Sequence, residues 1–541
     1  MDVVRTVETR AEPLSSNQIR MWLYCQVLPS TPSFHGPVAV RLKGPLHMAA
    51  WPAAARRLAQ RHEILRTTFP VDGLVPVQQI EKHARVQVSL VDLTYLPPST
   101  QDNAVAELMD RVAAHGFDFA SAPAWSIVIV RLTATEHVLA LTAHHMIVDL
   151  WSIGLMIDEL CALYRTLSAG EPCDLSVVPM QQTELAARQR DRLPPERVSM
   201  RQQRWRRHLA GIGAVQLAPA RPSLRLATHV FQTELDAGFC EDVRTLCREL
   251  GATVYATVFA ALAVLITRWC DQTEFAVVSN TSGRLGRDAE RVVGTPVEYL
   301  IVRVDTGGDP TFRQLAARIG EAALDAFDHL LPLDDMVRAI DPGRTARPSP
   351  LRQLGFSVLN TPRANPVLPG LDLSPLAPLA PRTEIGISEG QLWVEIFDTG
   401  AGPLGIRWQF GADLFEHAAA RQAVETLTGL LADVAKRPDT RLSDLVVAYR
   451  PAPVVTEAIG QSTPNSAAIE SVKEAVQRVL RVAVTSSNDN FFLLGGGTEQ
   501  AVALASILST RWGVNLSALD IETAPTVDGI AATLAGKTHP A

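Results

Sequence analysis

At 541 residues, with 47% hydrophobic and 20% charged residues, the chain is long enough for two or three globular domains, each able to bury a stable interior. A net charge of -7 and a pI near 6.0 exclude a global basic field, and no Lys/Arg-rich run interleaved with aromatics is present to track a phosphate backbone, so nucleic acid is not an expected partner. The cysteines Cys25, Cys161, Cys173, Cys240, Cys247 and Cys270 are scattered without a CxxC pair, which speaks against zinc and against a disulfide framework.

In chain order, the opening MDVVRTVETRAEP lacks the apolar core of a signal peptide. Strand-like and helix-like segments then alternate, which predicts an α/β chain with sheets covered by helices. The β-rich runs Ser126–Leu132 and His137–Ala143, separated by TATE, read as neighbouring strands. The second run leads into LTAHHMIVDLWSIG, Leu141–Gly154, after which Ile153, Met156, Ile157, Leu160 and Tyr164 recur at helical spacing. The two histidines therefore sit on a strand-to-helix turn, a place from which side chains can be aimed at a cleft while both flanks stay rigid.

Past the Arg-rich region Arg188–Arg207, a second α/β block holds the apolar helix candidate Ala252–Arg268, the strand Glu274–Ser279 and the turn NTSGR. The run Val254–Ile266 falls short of the roughly 20 residues that a membrane helix needs, so no membrane partner is expected and the cytoplasm is the expected compartment. Pro362–Pro381 reads as an irregular loop, and RPAPVVTEAIGQSTPNS after Tyr449 as an exposed linker. Beyond it, Val472, Ala475, Val476, Val479 and Leu480 form one helical stripe and Ala501, Leu504, Ala505 and Leu508 another, while APTVDGIAATLA suggests a Pro-started last helix. The expected domains are 1–180 and 181–449 as two α/β lobes, 450–466 as linker and 467–541 as a small helix bundle.

The HH pair has three chemical readings. One imidazole can accept a proton from an attacking amine or hydroxyl, or hold that nucleophile in line; because side chains alternate at a strand end, only one of the two faces a given cleft. Both can instead be satisfied core or turn residues. A metal would need a third convergent ligand that the HxxxD spacing does not supply. Asp149, just ahead of the helix, has the position of an N-cap or an ion-pair partner. By spacing alone catalysis is the minority reading.

The stretch AHHMIVDLWS resembles the HHxxxDG core motif of the condensation domains of nonribosomal peptide synthetases, and further motifs follow in the family's order. LSSNQIRMW, Leu14–Trp22, looks like the opening motif, and RHEILRTTF, Arg61–Phe69, is a near-complete match to the second. SGRLGRDAERVVGTPVEYLIVRV resembles the region of the family's motif arginine and bridging strand, and ARPSPLRQLGFSVLN, Ala346–Asn360, the late motif. The resemblance implies two chloramphenicol-acetyltransferase-like lobes in a V-shaped pseudo-dimer with a tunnel between them, entered by carrier-bound donor and acceptor. It makes His145 the residue expected to aid attack on the donor thioester, as base or as positioning group. His144 becomes structural, and Asp149 is expected to pair with Arg284, a buried pair whose disruption would cost about 3–5 kcal/mol. Leu150 stands where the family has glycine and Glu298 where it has asparagine; with Trp151 and Ser152 these are expected to shape the tunnel, Leu150 by narrowing it or by tilting the turn.

DNFFLLGGGTEQAVAL, Asp489–Leu504, resembles the DNFFxLGGxS motif of peptidyl carrier proteins, whose fold is a four-helix bundle, with APTV matching a later turn. At the serine that receives phosphopantetheine stands Thr498, β-branched and stiff at χ1. A degenerate carrier kept for docking, a carrier that tolerates threonine, and a substituted serine are the readings left open. No cofactor is expected on the condensation part, phosphopantetheine on partner carriers. The activity implied is transfer of an acyl group from a partner carrier's thioester to an amine or hydroxyl, making an amide or ester. No adenylation signature is visible, so activation is expected on another protein. The alternatives are a recruitment domain of the same fold without catalysis and an acyltransferase using a free small acceptor.

Overall fold

Two sheets carry the architecture. The computed structural model describes residues 9–27, 38–72, 75–83, 85–114, 116–172, 175–215, 217, 228–343, 351, 353–360, 368–375, 392–400, 402–411, 417–451 and 466–538. The chain divides into two units, the first made of Met1–Arg192, Ser282–Val297 and Thr361–Ala380, the second of Leu193–Thr281, Glu298–Asn360 and Pro381–Ala541.

In the first unit a five-stranded sheet runs in the order Asp372–Pro375, Val38–Lys43, Glu136–Ala143, Trp125–Arg131, Gln87–Asp92. The two apolar runs recognised in the sequence pair antiparallel at its centre, Val128 opposite Ala140 and Val130 opposite Val138. Both faces of these strands are buried, which is why they read as near-continuous apolar runs rather than as an alternation. Val128, Val130, Val138 and Ala140 pack under Val105 and Met109 of the helix Pro98–Ala114, while Ile127, Ile129 and Leu141, pointing the other way, are buried as well. Ala143 ends the strand, the six residues His144 to Asp149 make the turn, and the helix Leu150–Ala169 begins. That helix packs on Ala50–Arg61, with Trp51 and Tyr164 stacked at 4.2 Å. The segment expected as an irregular loop, Pro362–Pro381, contributes the short edge strand Asp372–Pro375, paired antiparallel with Val38–Lys43. Its proline falls at the strand's end, where a missing N–H costs no ladder bond further on.

The second unit has a six-stranded mixed sheet in the order Thr228–Glu234, Gly405–Gly411, Leu392–Phe397, Leu354–Leu359, Glu274–Thr281, Glu298–Asp305. Against it lies Val254–Cys270, the most apolar helix of the chain, buried at every residue from Ala256 to Ile266. Helices Ala237–Leu250, Phe312–Asp328 and His417–Lys436 contact it. A helix that is apolar all round belongs in a core, and this one explains the long greasy run of the sequence. No single helix among the described residues is long and apolar enough to cross a membrane. The Arg-rich region is two helices, Gln182–Asp191 and Pro195–His208.

The C-terminal residues form four helices, Ser466–Leu480, Thr498–Trp512, Ala518–Thr523 and Val527–Thr538, around Val472, Val476, Phe491, Leu504, Leu508, Ile521, Ile530 and Leu534. The proposed linker falls almost wholly on residues 452–465, outside the described residues.

Candidate active site

The first unit gathers His144, His145, Asp149, Leu150, Trp151, Ser152 and Arg284 at the end of the strand Glu136–Ala143. The two histidines part ways as strand alternation requires. His144 is 2% exposed; its Nδ1 accepts the Met146 N–H at 2.9 Å, and its ring meets Phe119 edge-on at 4.7 Å. An Nδ1 that accepts leaves the proton on Nε2, and that N–H donates to Cys25 Sγ at 3.5 Å.

His145 is exposed. Its Nδ1 lies 3.1 Å from the Val148 carbonyl oxygen, an acceptor only, so Nδ1 carries the proton and donates it. The lone pair then resides on Nε2, the atom that can take a proton or hold a nucleophile's hydrogen. A backbone carbonyl on the inner nitrogen is a common device for setting a functional imidazole's tautomer and ring angle.

Asp149 is both things its position suggested. Its Oδ1 accepts the Ser152 N–H at 2.9 Å and so caps the helix. The same carboxylate holds Arg284 in a two-pronged pair, Nη1 to Oδ2 and Nη2 to Oδ1 at 2.9 Å, with both residues 7% exposed. Arg284 Nη2 also donates to Ser152 Oγ at 2.8 Å and to the Val292 carbonyl at 3.1 Å. Ser152, fully buried, accepts the Gly294 N–H at 2.9 Å, while Asp149 N–H donates to Gly294 O at 3.0 Å. The segment Ser282–Val297 is thereby bolted to the start of the helix. Trp151 adds an outer strut: its indole N–H donates to Glu290 O at 2.8 Å, and its ring lies 5.7 Å from the Arg284 guanidinium carbon.

Leu150 is the first helical residue and is 36% exposed. The residues with left-handed backbone other than glycine are Asp271, Asp309 and Arg481 among those described, and Leu150 is not one of them. The Asp149 cap on the helix is formed with Leu150 in place. A glycine at this place would differ in volume, not in backbone conformation. Glu298 belongs to the second unit, where it opens the strand Glu298–Asp305 opposite Thr281.

Residues without a role at the sequence level brace the turn. Asn17 Nδ2 donates to Thr295 Oγ1 at 2.7 Å, and Gln18 Nε2 to the Met146 carbonyl at 3.4 Å. Both lie in LSSNQIRMW, where the two amides follow one another at the start of the helix Ser16–Val27. In RHEILRTTF, Arg61 and His62 both donate to Glu159 Oε2, at 3.0 and 2.8 Å. Burial raises the Glu159 carboxyl, and the bonds from His62 and Arg61 outweigh it, holding the group down at about 2. Among the described residues no group of three or more His, Cys, Asp or Glu side chains could hold a metal ion.

In the C-terminal bundle, Asn490 Oδ1 accepts the Phe492 and Leu493 N–H groups, and Asp489 Oδ2 those of Thr485 and Ser486. Gly495 has φ +99°, and a Cβ on Gly496 would sit 2.4 Å from the Phe491 ring, so the paired glycines answer to a turn and to a close packing contact. Thr498 opens the helix Thr498–Trp512, and N–H groups at a helix start favour a phosphate. The position suits a phosphopantetheine arm, while threonine offers a secondary alcohol in place of serine's primary one.

An α/β domain with an HHxxxD turn locked by a buried arginine is followed by a helical bundle with a DNFF loop. A family model described as "Condensation domain" matches residues 8–449, and one described as "Phosphopantetheine attachment site" matches 470–534. The chain belongs to the condensation-domain family. It is 30% identical over 440 residues to the chondramide synthase of Chondromyces crocatus, covering 80% of this chain and 11% of that protein. Among solved structures, the X-domain in its complex with OxyB from teicoplanin biosynthesis is 30% identical with a TM-score of 0.66, covering 83% of this chain and 98% of that one. The first condensation domain of the calcium-dependent antibiotic synthetase, at 18% identity and TM-score 0.65 over 81% of this chain and 99% of that one, shares the fold.

Proposed function

We propose that the chain is a condensation-type acyltransferase that takes an acyl group from a partner carrier's phosphopantetheine thioester and joins it to an amine or hydroxyl, forming an amide or ester, in the cytoplasm. The residues 1–180 and 181–449 are its two lobes, and 467–541 form a separable carrier-like domain behind the 450–466 linker. The observation that carries this reading is the His145 imidazole, exposed at the family's motif turn with its Nδ1 proton committed to Val148 O and its lone pair on Nε2. In this role Nε2 accepts a hydrogen from the attacking nucleophile, or holds it in line with the thioester carbonyl carbon. His144, Asp149 and Arg284 keep the turn in shape. Leu150, on the surface at the helix start, narrows the space at the acceptor.

The test mixes a donor acyl-carrier with candidate amines and alcohols and follows acyl transfer by intact mass. His145→Ala is expected to lose transfer by about 100-fold or more, the usual weight of a general base. Equal release by wild type and His145→Ala would overturn the assignment.

A second reading is a recruitment domain that docks a partner enzyme. What favours it is the 30% identity to an X-domain whose structure was solved in complex with OxyB. It predicts stable binding of a partner enzyme that His145→Ala does not disturb, with no acyl transfer by wild type.

A further inference from the structure

In the second unit, the helix Leu333–Ile340 is fixed from beneath. Leu333, Met336 and Val337 are buried in the unit's core, and Arg206, on the helix Pro195–His208, donates to the Ala339 carbonyl at 3.0 Å. Arg338, on the same helix, is exposed. A short element held in this way offers a rigid surface.

The C-terminal bundle meets that surface at two places. Asn490 Nδ2 donates to Gly343 O at 2.8 Å, just past the helix, and both residues are buried. A Cβ on Gly497, the residue before the helix Thr498–Trp512, would lie 3.7 Å from Arg338 Nη2. Both contacts come from one side of the bundle, made of the DNFF loop and the start of that helix. The Asn490 amide is divided between two tasks: Oδ1 accepts the Phe492 and Leu493 N–H groups and shapes the loop, while Nδ2 reaches outside the bundle. The bundle's own core, around Val472, Leu504 and Ile530, does not need the second bond.

The helix end that carries Thr498 is thus turned against the part of the chain that precedes the bundle. A tethered domain holds its own binding surface at an effective concentration of ~1 mM, so a separate protein at micromolar concentration competes poorly for the same surface.

We propose that the helix Leu333–Ile340, with Arg338 and the Gly343 carbonyl, is a carrier dock that the chain's own bundle fills, so that the bundle acts as a plug against partner carriers at this face. The proposal rests on the carrier-like reading of residues 467–541. A partner carrier that brings an acyl group then approaches by another face.

The experiment keeps the full chain and has two readouts: amide hydrogen exchange over residues 333–343 and 489–497, and binding of an added peptidyl carrier that bears phosphopantetheine on serine. Asn490→Asp keeps an oxygen for the Phe492 and Leu493 N–H groups but sets a carboxylate against Gly343 O, so the bundle is expected to fold and to leave the dock. Exchange over both segments should rise about tenfold or more relative to wild type, with the helix Val527–Thr538 unchanged, and the added carrier should bind about tenfold tighter. If Asn490→Asp does not fold, Gly497→Trp gives the same reading, because Gly497 has an extended backbone that any residue adopts, at φ -112°, and the new side chain would meet Arg338. Equal exchange over 333–343 in wild type and the folded variant overturns the dock. Faster exchange with no gain in carrier binding overturns the plug. Neither readout depends on acyl transfer, so a wild type without transfer activity would count against the condensation reading alone.

Discussion

At the scale of single residues, two roles that are easily confused in mutants separate by burial. Asp149 and Arg284 are desolvated and doubly bonded, so removing either leaves an uncompensated buried charge. Asp149→Ala is expected to lower the unfolding free energy by about 3–5 kcal/mol in urea denaturation, and to lose activity with it. His145→Ala, at an exposed ring, should stay within about 0.5 kcal/mol of wild type while losing transfer. If both variants were equally destabilised, His145 would be a structural residue. Leu150 gives a third prediction: because it starts a capped helix with ordinary backbone, Leu150→Gly is expected to widen acceptor scope, read as a rise in kcat/KM for bulkier amines with little change for small ones. The type of residue at each of these places was legible in the sequence, since AHHMIVDLWS and the arginine region are short and local. The hydrogen-bond assignments were not: that Val148 O receives His145 and Met146 N–H faces His144 depends on how three turn residues fold back.

Among elements, the helix Leu150–Ala169 is the hub, capped by Asp149 at one end and tied by Glu159 to Arg61 and His62 on its neighbour. The Glu159 carboxyl is held at about 2 in the folded chain against an ordinary value of 4.5, so the folded state prefers it ionised. Its contribution is fully present above the unfolded value and is lost as pH falls from there through about 2. Between about pH 5 and pH 2 the wild type should lose roughly 2 kcal/mol of stability that Glu159→Gln, already weakened at pH 7, does not lose. A parallel pH dependence of the two proteins in urea midpoints would contradict it. Strand and helix types were readable because the apolar runs are long and differ in length, seven residues in Ser126–Leu132 and thirteen in Val254–Ile266. The edge strand Asp372–Pro375 was not, because a four-residue edge strand among prolines carries no period and exists only by pairing with Val38–Lys43.

For the whole molecule, the C-terminal bundle has a core of its own, and Asn490 Nδ2 donates to Gly343 O in the same unit. Incubation with a phosphopantetheinyl transferase and CoA is expected to leave the mass unchanged, with Thr498→Ser gaining one arm. A gain in the wild type that disappears in Thr498→Ala would show a functional carrier in place of a docking module. The helix start bears on this, for its N–H groups favour a phosphate whichever hydroxyl stands there.

By itself the sequence determined the α/β class, the succession of motifs, the turn that carries the histidines and the DNFF loop of the bundle, because each is encoded by neighbours within one or two turns of chain. Only the tertiary structure decided that Ser282–Val297 returns to the head of the helix Leu150–Ala169, that Ser152 and Gly294 complete the Asp149–Arg284 pair, and that Cys25 faces His144. These contacts join residues more than a hundred positions apart, and the reason they form is energetic: a buried charge or imidazole must find partners, and the chain supplies them from wherever the sheet brings it back.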